Sequence, residues 1–152
     1  MLYQLKNLSQ EEQSIVLKSP IWVTLLIACS DFDIEEAEID RAKEIMHIKT
    51  FTTSNDVQEV YKNLSENMDA DIDTTLKTLS ANGDERIEFI TKNLSELNKI
   101  LPKLDKTFAK QLYNSLKSLA FNVAKSDGGF FGIASISDQE EVLVKLPMID
   151  KP

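Results

Sequence analysis

The chain has 152 residues, a net charge of −8, 42% hydrophobic and 28% charged residues. Length and composition fit one globular domain spanning 1–152 and exclude wholesale disorder. The acidic balance argues against nucleic acid as a partner, because phosphate binding needs a net basic face.

Four glycines and four prolines are too few for an all-β chain with many tight turns. The start, Met1-Leu2-Tyr3-Gln4-Leu5-Lys6-Asn7, lacks a basic-then-apolar signal pattern. The longest apolar run, Ile21 to Cys29, falls short of the roughly 20 residues of a membrane span. These readings place the chain in the cytoplasm, with no stable membrane insertion. The sequons at Asn7, Asn63 and Asn93 then carry no meaning.

In chain order, nearly every segment predicts helix. Ser9 with Glu12 forms a capping-box pattern opening a short helix to about Lys18. Pro20 suits the first turn of a second helix running to about Phe32. Asp33 with Glu36 opens a third through Ala37, Ile45 and Ile48. The cap-rich Thr52-Thr53-Ser54-Asn55 precedes a helix to about Met68. A short helix holds Leu76 and Leu79 and ends at Asn82-Gly83. From Arg86, the apolar Ile87, Ile90, Leu94, Leu97, Leu101 and Leu104 predict a bundle-facing helix interrupted by Pro102. The last long helix is expected over about Lys103 to Ser126. Ser137 with Glu140 caps a final helix that ends before Pro147.

Two segments are apolar on nearly every side, as central helices are. They are Ile21 to Cys29 and Leu119 to Ala124. The first closes on Ala28-Cys29-Ser30-Asp31 and the second on Ala124-Lys125-Ser126-Asp127. Each leads into a loop and an acid-rich helix start. The pattern reads as an internal duplication, with units at about 20–49 and 103–147 packed as a pseudo-twofold pair. Trp22, Leu26, Leu119 and Val123 are expected in one core. Cys29 reads as a small buried hydrophobe.

The stretch Asp31 to Asp40 holds six acids and no base. Asp31 stands near a helix C-terminus, where the dipole disfavours a carboxylate. Glu38 follows seven residues later and could swing back toward the loop. Asp127 repeats the position of Asp31, and Glu140 lies beyond a longer loop. If the two units pack together, Asp31, Glu38, Asp127 and Glu140 converge. Oxygen ligands without His or Cys would favour a hard divalent cation, calcium or magnesium. The competing reading is that these acids cap helices and face water. The spacing excludes an EF-hand, because Glu36 and Ala42 stand where its glycine and bidentate glutamate belong.

At these residues the chain resembles the TerB-like family, named for bacterial tellurite-resistance proteins. Ala28, Asp31, Ile34 and Glu38 match its pattern, while Phe32 replaces the glycine after the aspartate. Ala124, Asp127, Gly128, Gly129, Phe131, Gly132, Ile136, Ser137 and Glu140 resemble a longer-loop variant. The middle of the chain, about Thr50 to Leu101, matches only in being helical. The resemblance implies an all-α bundle of about seven to eight helices with internal pseudo-symmetry. It further implies a bacterial cytoplasmic setting and a role in metal or stress response.

Two functional readings follow. One is a non-catalytic module holding a divalent cation through the four acids. The other is a protein-interaction domain without a metal site. Its strongest feature is a stripe of Lys103, Lys106, Lys110 and Lys117 opposite Phe108, Leu112, Leu116, Leu119 and Val123. An enzyme is disfavoured. Nothing marks a nucleophile, there is no phosphate loop, and the lone His47 reads as a surface residue near a helix end. No catalytic or cofactor-binding residues are assigned.

Overall fold

The computed structural model describes residues 2–28, 36–127 and 138–152, apart from the side chains of Phe51, Ser126, Asp127, Asp138, Gln139 and Glu140. Helices dominate the described residues, and no strand occurs among them. The fold is an all-α helical bundle.

A 3-10 turn at Tyr3–Leu5 leads into α1, Gln10–Ala28. The expected capping box is present. The Ser9 hydroxyl accepts from Glu12 N at 3.1 Å, and Ser9 N donates to the Glu12 carboxylate at 3.0 Å.

The expected break before Pro20 is absent, and α1 runs straight through it. Proline has no N–H for the carbonyl four residues back, which belongs to Val16. The Ser19 hydroxyl donates to that carbonyl instead, at 2.7 Å in a buried setting. One polar side chain therefore keeps an interior proline compatible with a continuous helix.

From Ser19 to Ala28 every residue except Trp22 is buried. This all-round burial makes α1 the central helix. It packs most extensively on α7 and α5, and also on α3, α2 and α8. Trp22 meets Phe89 of α5 edge to face, at 5.7 Å between centroids and 71° between planes. The hydroxyl oxygen of Thr24 is buried and lacks a partner among the described residues.

The next helices are α2 (Glu36–Thr52), α3 (Asn55–Ser65) and α4 (Met68–Thr78). Met68 therefore starts α4 instead of closing α3. Asn82-Gly83 also acts opposite to expectation. Asn82 is the N-cap of α5 (Gly83–Ser95), its side chain accepting from Glu85 N at 3.1 Å. The Ser80 hydroxyl donates to Glu85, and Arg86 Nη1 donates to the Ala81 carbonyl at 3.1 Å. The side-chain oxygen of Asn82 selects the start role over a C-terminal glycine stop.

After α6 (Leu97–Ile100) and a 3-10 turn at Leu101–Lys103 comes α7, Lys106–Asp127. Asp105 fixes its start, because one carboxylate oxygen accepts from Thr107 N and Phe108 N, both at 3.0 Å. Lys103 consequently lies outside this helix. The last helix, α8, covers Asp138–Val144 and ends before Pro147, as expected. Leu146 follows with φ 47° and is fully buried. A left-handed non-glycine costs about 1–2 kcal/mol, which burial of the leucine side chain offsets.

Leu26, Leu119 and Val123 share one core, and Trp22 packs at its edge half-buried. Phe121, in the run expected to be nearly all-apolar, is 49% exposed. The buried positions of α7 fall on one face, and Phe121 lies off it.

Candidate functional site

Polar links fix the directions of the long helices. Ser54, just before α3, donates to Gln111 at 3.1 Å, and Lys49 of α2 donates to Ser118 at 2.9 Å. As α2 numbers fall, α7 numbers rise, so these two helices are antiparallel. The ion pair of Glu12 with Lys103 joins the start of α1 to the entry of α7. The start of α2 therefore lies toward the end of α7.

Glu38 is at that end of the bundle. Its side chain is half-buried, with one carboxylate oxygen shielded from solvent. The backbone of Asp127 closes α7 toward the same end. Asp31, and the side chains of Asp127 and Glu140, lie outside the described residues, as do Cys29, Asp33 and Ser137. Residues 29–35 and 128–137, expected from the sequence to be the loops of two repeated units, lie outside them too. Among the described residues no three acidic, histidine or cysteine side chains form a metal-sized group.

The lysine stripe needs a correction. Lys103 sits in the turn before α7 and is paired with Glu12. Lys106 and Lys110 are exposed on α7, and Lys117 is half-buried with its ammonium 5.5 Å from the Tyr113 ring centroid. At helical spacing Phe121 falls one turn beyond Lys117, on the face that also carries Lys110. Ion pairs among the described residues include Lys43 with Asp69, Lys99 with Glu96, and Lys103 with Glu12. Lys106, Lys110 and Lys117 belong to none of them. The opposite face is as expected, with Phe108, Leu112, Leu116, Leu119 and Val123 all buried.

A second edge of α7 carries a polar ladder. Gln111, Ser115 and Ser118 are joined to Ser54, Tyr61 and Lys49, with Tyr61 and Ser115 hydroxyls 2.9 Å apart. Burial raises the Tyr61 pKa, and the Ser115 hydrogen bond partly opposes the shift. Burial lowers that of Lys49, because desolvation disfavours its charged form. The ladder continues through Asn122 and Lys125, which line a cleft of about 430 Å³ against Ile45, Ile48 and Thr52 of α2.

On the other side of Ile48 lies a groove of about 760 Å³, bounded by Lys43, His47, Glu66 and Asp69. Lys43 and Asp69 are paired across it at 2.8 Å, which raises the pKa of Lys43. His47 is exposed here, as its position near a helix end suggested.

Sequence reasoning missed the Lys49 cleft. Its signal was available in Gln111, Ser115, Ser118 and Asn122, which repeat at helical spacing along one edge of an otherwise amphipathic helix. Among the described residues no helix is long and apolar enough to cross a membrane. Set against known protein families, characterised proteins and solved structures, the chain has no match.

Proposed function

We propose that this chain is a non-catalytic binding module that engages an acidic partner protein through α7. The observation that carries this reading is the row of Lys106, Lys110 and Lys117 along one face of α7, with the half-exposed Phe121 one turn beyond Lys117. A cationic row without carboxylate pairing within a chain of net charge −8 is a local reversal of sign. Such a patch steers acidic surfaces toward it, and an exposed phenyl gives the contact an apolar anchor. The TerB-like resemblance adds a bacterial cytoplasmic setting in metal or stress response.

The test is binding of a synthetic amphipathic helix with one glutamate-rich face and one leucine-rich face. Affinity should fall as salt rises and should be lost when Lys110→Glu and Lys117→Glu are combined. Equal binding by wild type and the doubly reversed variant would remove α7 as the docking face.

A second reading, a divalent cation at the other end of the bundle, is favoured by one observation. Glu38 keeps a carboxylate oxygen shielded from solvent close to where α7 ends. Calcium or magnesium held by Asp31, Glu38, Asp127 and Glu140 would stabilise the folded chain in proportion to occupancy. Thermal melting across a divalent-cation panel, with wild type and Glu38→Gln, discriminates the readings. A metal-specific rise lost in Glu38→Gln supports the cation site, and a flat panel removes it.

A further inference from the structure

Lys49 is 7% exposed, yet its hydrogen-bond partner is a neutral hydroxyl, Ser118 Oγ. An ammonium carries three donors, and burial without a counter-charge is unfavourable. Among the described residues no carboxylate reaches it. The cleft onto which it opens is lined by Ile45, Ile48, Thr52, Asn122 and Lys125 as well. Two cations, one amide and one hydroxyl thus meet two isoleucines, with no acid among the described residues of the wall.

We propose that the cleft between α2 and α7 binds a carboxylate carried on an apolar body. Lys49 and Lys125 pair the head group, Asn122 donates to it, and Ile45 and Ile48 hold the apolar part. Ile48 is 56% exposed and supplies the apolar wall that a ligand would cover. A monoanion suits the site better than a dianionic phosphate for two reasons. One of the two lysines is exposed and contributes a screened charge. The cleft also reaches the last turn of α2 at Lys49 and Thr52, whose dipole opposes concentrated negative charge.

The site is separate from the outer row of Lys106, Lys110 and Lys117, so it stands or falls independently of partner docking. Octanoate, 1-octanol and inorganic phosphate are the probes, followed by isothermal titration and by the methyl NMR signals of Ile45 and Ile48. Octanoate should bind wild type and shift both methyl signals. Lys49→Met should weaken it by roughly tenfold, the scale of one charge-assisted hydrogen bond. Lys125→Gln, a change at an exposed position, should weaken it less, and Lys110→Gln should leave it unchanged. Far-UV circular dichroism checks that Lys49→Met keeps its helices. Equal octanoate affinity in wild type and both cleft variants overturns the proposal. So does 1-octanol binding as tightly as octanoate, which would make the cleft merely apolar. Phosphate binding more tightly than octanoate overturns the ligand class.

Discussion

At Val16 a single carbonyl decides whether α1 is one helix or two. Pro20 cannot donate to it, and Ser19 does so from the preceding position. A buried carbonyl without a donor costs about 1–3 kcal/mol, so Ser19→Ala should lower stability by that amount in urea unfolding. A change near zero would mean that the helix relaxes around Pro20 and recovers a donor elsewhere. Lys49 is the opposite case, a buried group whose environment opposes its charge. Its lowered pKa means that the folded state binds fewer protons than the unfolded state just below the ordinary value of 10.5. The penalty is present at neutral pH and is relieved as pH rises through the lowered value.

Among the elements, the starts are better specified than the ends. The Ser9 and Glu12 box, Asp105 ahead of α7 and Asn82 ahead of α5 each satisfy N–H groups with a side chain. Ser9→Ala should destabilise α1 by about 1 kcal/mol, read as a lower denaturation midpoint with unchanged slope. The same start has a pH signature. The Lys103 hydrogen bond, aided by Ser9 N, holds the Glu12 carboxyl below its ordinary value of 4.5. A lowered folded-state pKa means that this contribution is full above the ordinary value and is lost as pH falls through the folded one. The acid unfolding limb of Lys103→Met should therefore be shallower than that of wild type. Identical limbs would show that the pair contributes nothing in solution.

For the molecule as a whole, stability rests on α1 being enclosed by its neighbours, with α7 the largest of them. Leu119 is fully buried on the inward face of α7. Leu119→Ala should cost about 2–5 kcal/mol in chemical denaturation, and a loss near zero would mean that the α7 face is not part of the cooperative core. The helical class, the inward face of α7, the Ser9 box and the stop before Pro147 were legible in the sequence. Each depends on periodicity or on partners three or four residues apart, which local chemistry dictates. The role of Pro20 was not legible as a rule, because proline permits either a helix start or an interior position once a neighbouring hydroxyl supplies the lost donor. Asn82-Gly83 was ambiguous for the same kind of reason, since asparagine caps either end. Lys103 left the stripe because Asp105 set the start of α7 after it. The cleft at Lys49 could be decided only by tertiary structure. Its members come from α2 and α7, more than sixty residues apart. Periodicity fixes which face of a helix is apolar, but antiparallel packing alone determines which polar side chains of two faces meet.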